Sequence, residues 1–232
     1  MKRAARRIVV VLLALFVIGV AFILWASNTP PAWYNPPDRH NAEAEQLADD
    51  FEYRLIEEAQ KIRKPARQWT VRIRESHLNM WLATRLPQWI EHHHDMDWPP
   101  HLDTPQAHIE PDGISLAIDL RGDDSSHIVV ARFMPSLNDG ALSVRTTRLA
   151  VGRLAVPGDP AAKLAKRLRD ARGDQSSKDE SLVALVQRVL TGEDTLDPVF
   201  ELSDGRRVRL VALQLHNGAM DATNETLAND QP

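Results

Sequence analysis

The first 27 residues divide into a basic tail and an apolar run. Residues 8–26 read IVVVLLALFVIGVAFILWA and carry no charge. At 1.5 Å per residue this run spans roughly 28 Å, close to the hydrocarbon thickness of a bilayer. The pattern predicts a transmembrane anchor that, with the tail, occupies residues 1–27. The context Trp25-Ala26-Ser27-Asn28 leaves signal-peptide cleavage open as an alternative.

The charges on either side of the run predict its orientation. Four positive charges precede it, and none follows in the next 12 residues. The positive-inside rule then keeps the N-terminus in the cytoplasm and the domain outside, in the periplasm or at the cell surface. Trp25, Trp33 and Tyr34 flank the C-terminal end of the run. Either they form an aromatic belt at the lipid headgroups, or Trp33 and Tyr34 begin the domain. The basic residues of the tail are Lys2, Arg3, Arg6 and Arg7.

Prolines and then a helical period follow the anchor. Thr29-Pro30-Pro31 and Asn35-Pro36-Pro37 predict a stiff extended spacer over residues 28–38 that lifts the domain off the bilayer. Residues 41–64 predict a helix that begins near Asn41 and ends at Pro65. Its apolar stripe consists of Leu47, Phe51, Leu55, Ala59 and Ile62.

A half-buried strand and a second helix come next. Trp69, Val71 and Ile73 alternate with polar residues, which is typical of a strand with one buried face. Ser76 is a candidate N-cap for the helix that follows, and Pro87 is expected to break it. The inward face of this helix is predicted to contain Leu78, Trp81, Leu82 and Leu86.

From about residue 105 the hydrophobic period changes to two. After the turn Pro111-Asp112-Gly113, a strand is expected to bury Ile114, Leu116, Ile118 and Leu120 on one face. Further turns at Asn138-Asp139-Gly140, Ser203-Asp204-Gly205 and His216-Asn217-Gly218 predict antiparallel hairpins. Their strands are residues 127–137 with 141–156, 199–202 with 207–215, and 219–223. Helices are expected at 160–172 and 181–190, joined by a polar loop at 173–180.

These elements predict a single α+β domain over residues 39–224 and a loose tail over 225–232. The expected fold is an N-terminal transmembrane helix followed by a curved antiparallel meander sheet packed against helices. Long antiparallel strands twist and curl, so the concave face is expected to hold an apolar groove.

Charge and composition exclude several classes of function. The net charge is −4, and because the tail carries four positive charges, the part after the anchor carries −8. An acidic domain repels phosphate backbones, so no nucleic-acid partner is expected. The chain has no cysteine, which excludes disulfides, thiolate nucleophiles and cysteine metal sites.

The densest ionisable cluster is Glu91-His92-His93-His94-Asp95, with Asp97 and His101 nearby. It is a candidate surface zinc site, or otherwise a solvated polar loop, and its spacing does not match HExxH. The HHxxxD pattern of two-lobed acyltransferases also occurs here, but those enzymes need a much longer chain. GxSxG, GxGxxG and GxxxxGK motifs are absent from the sequence. No catalytic, cofactor-binding or metal residue is therefore assigned, and no cofactor is expected.

Three charged segments have two readings each. Asp49-Asp50 and Asp123-Asp124 are either paired acids or, as we favour, solvated faces. A basic helix either lies on anionic lipid or presents a solvated face while it caps the sheet. Its cations are Lys163, Lys166, Arg167, Arg169 and Arg172.

The order of elements resembles the YpmS-like family of uncharacterised membrane-anchored proteins. The resemblance rests on the anchor, on the helix that begins at Leu78 and Asn79, and on the hairpin RFMPSLNDGALSVRTTRLAVGRLAVP. It departs from the family in the insert 88–105 and the loop 173–180. The hairpin residues that match are Phe133, Pro135, Asp139, Gly140, Gly152, Leu154 and Pro157. The resemblance implies a likeness in outline to tubular lipid-binding domains and no catalytic residues.

The sequence thus predicts a non-enzymatic, membrane-tethered module that binds a lipid or other apolar ligand, or a protein partner, outside the membrane. One alternative is a structural or assembly subunit of a cell-envelope complex. Another is a metal-dependent enzyme at the His-rich segment.

Overall fold

The computed structural model describes residues 18–228 apart from 20, 24, 95–97, 122–125, 139, 160–195 and 203. The described residues between Ile18 and Asn28 are helical. Among the described residues no helix is both long and apolar enough to cross a bilayer. Because residues 8–17, 20 and 24 of the expected anchor lie outside the description, the anchor stays a prediction. The expected helices 160–172 and 181–190 and the loop between them also lie outside it.

Helix α1 (Ala42–Gln60) begins at the predicted cap, where the Asn41 side chain accepts a hydrogen bond from Glu43 N–H. The helix ends earlier than expected, and Ile62 is 93 % exposed instead of continuing the apolar stripe. The physical reason lies in Arg206, which is distant in sequence. Its guanidinium donates to the carbonyls of Ala59, Gln60 and Lys61 at 2.8–3.2 Å and so caps the helix C-terminus.

Strand β1 (Gln68–Arg74) alternates between exposed and half-buried residues as predicted. It runs directly into helix α2 (Glu75–His94), which packs against α1. The expectation that Pro87 breaks this helix is wrong, since the helix continues for a further seven residues. A proline removes one backbone hydrogen bond, and we attribute the continuity to the packing of α2 on α1, which outweighs that loss.

The strands form two antiparallel sheets, not the single sheet that was expected. The four-stranded sheet has the order β1-β9-β8-β7, and the five-stranded sheet is the meander β2-β3-β4-β5-β6. The α+β class is confirmed. The strands are β2 (Gln106–Glu110), β3 (Gly113–Arg121), β4 (Ser126–Asn138), β5 (Ala141–Val151), β6 (Leu154–Ala155), β7 (Val199–Glu201), β8 (Arg207–His216) and β9 (Ala219–Thr226).

All four predicted turns join neighbouring antiparallel strands, so the hairpins are confirmed. Two strand ends differ from the prediction by more than one residue. The strand expected over 141–156 stops at Val151, because Gly152 adopts φ +57° and the chain turns back into β6. The tail expected from Glu225 begins later, since β9 continues to Thr226, which is buried and pairs with Val208.

Strand β3 has the predicted period but buries the opposite face. Ser115 and Ala117 are 5 % and 0 % exposed, whereas Leu116 is 37 % exposed. The polar face is the better covered one because the proline-rich segment lies on it. The Asn35 N–H donates to Gln106 Oε1 at 2.6 Å, and Gln106 Nε2 donates to Trp33 O at 3.0 Å. The segment expected as a spacer is therefore packed on the sheet.

The outer edge of β2 is closed by side chains of α2 and by the other sheet. Asn79, which is buried, donates to Ala107 O at 2.9 Å and accepts from Ala107 N–H at 2.7 Å. Glu75 accepts from Ile109 N–H at 2.7 Å, and Gly218 N–H donates to Ile109 O at 2.9 Å. These bonds replace a neighbouring strand and fix α2 and the turn between β8 and β9 against the five-stranded sheet.

Candidate functional site

A cavity of about 370 Å³ lies between the proline-rich segment and the polar face of strands β2 to β5. We call it the junction pocket. Its volume falls at the lower end of the range of small-molecule sites, roughly 300–1,000 Å³. Its lining contains three arginines and one glutamate, in a domain that is acidic as a whole. The lining residues are Pro31, Trp33, His108, Glu110, Ser115, Val130, Arg132, Arg148, Ala150, Gly152 and Arg153.

One wall of the pocket is the turn that receives the end of the N-terminal helix. Arg153 N–H donates to Ala26 O at 2.9 Å, and Gly152 N–H donates to Ile128 O at 2.7 Å. A Cβ atom on Gly152 would lie only 2.5 Å from Ser27 O and 2.6 Å from Ala26 O. The close approach therefore requires glycine and fixes the helix end beside the pocket.

The three arginines of the pocket differ in their partners. Arg132 forms ion pairs with Glu110 at 2.9 Å and with Asp112. Arg148 lies directly opposite Arg132 across the β4–β5 pairing. Arg153 donates from Nε to Pro30 O at 2.9 Å. Arg148 and Arg153 are exposed, and within the described part of the chain their guanidinium groups have no carboxylate partner within ion-pair distance.

An aromatic pair forms a second wall. The rings of Trp33 and His108 stack with centroids 5.1 Å apart and an interplanar angle of 17°. His108 Nδ1 lies 3.2 Å from Glu75 Oε1, and His108 Nε2 lies 3.9 Å from Glu110 Oε1. The carboxylates on both sides orient the imidazole, and the imidazole supports Trp33 at the edge of the pocket.

A polar cluster behind Trp33 holds the proline-rich segment in place. Burial, with the nearby carboxylates of Asp119 and Asp103, raises the pKa of Tyr34 to about 12. The phenol thus stays protonated and donates to Thr104 O at 3.2 Å. Burial by itself would raise the pKa of Asp103, but the Thr104 N–H, Arg121 and Arg39 together lower it. Trp33 and Tyr34 therefore belong to the folded domain, as the second of the two readings proposed.

The ionisable candidates that the sequence offered do not line the junction pocket where the structure describes them. His92 sits near the end of α2 with Nδ1 2.7 Å from Gln88 O, and His101 is exposed. No group of three or more side chains suited to a metal ion occurs among the residues that the structure describes. Asp49 forms an ion pair with Arg85 of α2. Asp95, Asp97, Asp123-Asp124 and the basic helix with Lys163 to Arg172 lie outside the description, as do the side chains of His93 and His94.

The pocket arginines were missed, because counting residues along the hairpin does not place them on one face. Counting back from the Asn138–Ala141 pair places Arg132 opposite Thr147, and only the register shift between Arg132 and Phe133 brings Arg148 opposite Arg132. Like charges opposite each other destabilise a sheet, so such a pair indicates either a counter-charge or an anionic ligand. Trp33 and Arg153 carry no signal for the pocket either, because their position depends on how the proline-rich segment packs.

Comparisons with protein-family models, with curated proteins and with solved structures give no match. The resemblance to the YpmS-like family therefore stays a prediction. The chemical reading of the pocket rests on its own residues.

Proposed function

We propose that this protein is a non-enzymatic module, held at a membrane by its N-terminal helix, that binds lipid in the junction pocket. The domain lies on the extracytoplasmic side in this proposal. The observation that carries it is the hydrogen bond from Arg153 N–H to Ala26 O, since it joins the pocket wall to the end of the expected anchor. If residues 8–26 cross the bilayer, the pocket lies at the depth of the lipid headgroups.

The exposed side of the N-terminal helix supports the same proposal. Ile18, Phe22 and Trp25 are each more than half exposed, although all three are large and apolar. Such side chains are stable in contact with acyl chains or headgroups and costly in water. In contrast, Ala26 is 4 % exposed, at the point where the helix meets the domain.

Native mass spectrometry tests this function on the full chain, released from mild detergent. We expect the wild-type protein to retain lipid and the Val130→Trp variant to lose it, because Val130 lines the pocket. The matched control is Val144→Trp, a half-buried valine in the next strand that does not line the pocket. Circular dichroism checks that both variants fold. A wild-type protein without lipid would overturn the proposal.

The structural or assembly-subunit alternative has one observation in its favour. Tyr53 and Ile56 are 69 % and 47 % exposed on the outer side of α1, one helical turn apart. A protein partner could cover them. A protein without lipid in the preceding experiment would favour this reading, and Tyr53→Ser with Ile56→Ser would then be expected to weaken partner binding.

A further inference from the structure

The charge of the junction pocket is unbalanced at one side. Glu110 forms an ion pair with Arg132 at 2.9 Å, and Asp112 forms another with the same guanidinium group. These two carboxylates therefore compensate Arg132. Arg148 and Arg153 remain as positive charges without a carboxylate partner among the described residues, and Arg148 additionally faces Arg132 across the strands.

A bound anion would balance the positive charges of Arg148 and Arg153. Arg148 and Arg153 are exposed and line the pocket, and a bound anion there would supply the attraction that Glu110 and Asp112 supply only to Arg132. Arginine presents a planar set of donors that fits the oxygens of a phosphate. The domain after the anchor carries −8, so a positive pocket within it favours a specific anion over general binding to polyanions.

The surroundings of the two arginines favour a lipid as the source of the phosphate. Gly152 and Arg153 contact Ala26 and Ser27 at the end of the N-terminal helix. Trp33 adds an apolar face with a polar edge, which is the character of side chains found at headgroup depth. The volume of about 370 Å³ leaves room for more than a bare phosphate ion.

We propose that the junction pocket binds the phosphate of an anionic lipid headgroup, with Arg148 and Arg153 as the charge-bearing ligands and Trp33 as an apolar wall. This inference rests on the proposed function and adds the chemical class of the ligand.

Calorimetric titration of the full chain in neutral phosphatidylcholine nanodiscs tests the inference. The ligands are short-chain phosphatidic acid, short-chain phosphatidylcholine and glycerol phosphate. We expect phosphatidic acid to bind most tightly, and Arg148→Gln with Arg153→Gln to weaken it by at least about tenfold. Arg209→Gln, an exposed arginine in β8 of the other sheet, is the control and should leave the affinity unchanged.

Each other outcome has a separate meaning. Equal binding of the two lipids would overturn the inference on charge and retain lipid binding. If glycerol phosphate bound as tightly as phosphatidic acid, the inference that the bound phosphate belongs to a lipid would be overturned. Binding of neither lipid would overturn the proposed function together with the inference. An equal loss of affinity in the Arg209→Gln control would assign the effect to overall charge, not to the pocket.

Discussion

The side chain of Asn79 takes the place of a neighbouring strand at the outer edge of β2. Its amide makes both hydrogen bonds to the backbone of Ala107, at 2.9 and 2.7 Å, in a buried environment. Asn79→Ala would leave a buried N–H and a buried C=O without partners. We expect a loss of about 2 kcal/mol in the free energy of unfolding, measured by urea denaturation in detergent.

The control for Asn79 is Gln46→Ala, which removes an amide from an exposed position on α1. It should change the stability by no more than about 0.5 kcal/mol. Asn79→Asp is more informative, because it keeps the acceptor for Ala107 N–H and replaces the donor to Ala107 O with an oxygen. A fully stable Asn79→Asp variant would contradict the assigned pair of bonds.

For individual strand residues, the sequence predicts which positions alternate but not always which face is buried. The period of β3 was correct, yet Ser115 and Ala117 are buried while Leu116 is partly exposed. Hydrophobicity alone predicts that the face of β3 containing Leu116 is the buried one. The polar face is buried instead, because the segment containing Trp33 packs on it and is held there by a hydrogen bond from Gln106.

Among the elements, the turn between β5 and β6 joins the domain to the N-terminal helix. Gly152→Ala would place a Cβ within 2.6 Å of two backbone oxygens, at a φ of +57°. Because backbone atoms there cannot move without displacing the helix end, we expect the junction to open. Chymotrypsin should then cleave faster after Trp33 or Tyr34, as measured by the appearance of fragments over time.

Gly140→Ala is the matched control for this turn. Gly140 also has a positive φ, +74°, but nothing lies within 4 Å of the added Cβ. The variant therefore incurs the backbone penalty, about 1–2 kcal/mol, without the clash. Equal cleavage rates after Trp33 and Tyr34 in the two variants would contradict the role of Gly152 as the contact with the helix.

The elements that the sequence predicted best are those fixed by local chemistry. The turns at Gly113, Gly140, Gly205 and Gly218 all join antiparallel strands, because glycine is favoured in such hairpin turns. The misses depend on distant partners. The early end of α1 requires Arg206, and the continuity of α2 through Pro87 we attribute to its packing on α1.

For the whole molecule, the junction pocket could not be predicted from the sequence, because its walls come from the proline-rich segment, the four strands β2 to β5 and one turn. Even the opposition of Arg132 and Arg148 depends on a register shift in the hairpin that residue counting does not predict. The sequence predicted an apolar groove, which would lie on the face of the sheet that contains Leu116. The junction pocket lies on the opposite face, with Ser115. The anchor and the sidedness of the domain stay predictions, and the proposed function depends on them.

The proposed position of the junction pocket at the membrane surface can be measured as its depth relative to the bilayer. The chain has no cysteine, so Ala155→Cys and Asn138→Cys each offer a single labelling site, at the two ends of β5. Strand β5 has 11 residues and therefore separates its ends by roughly 33 Å. The measurement is quenching of a fluorophore at each site by nitroxide-labelled headgroups, on the full chain in liposomes. We predict strong quenching at residue 155 and weak quenching at residue 138; equal quenching, stronger quenching at 138, or none at either site would contradict a pocket at the membrane surface.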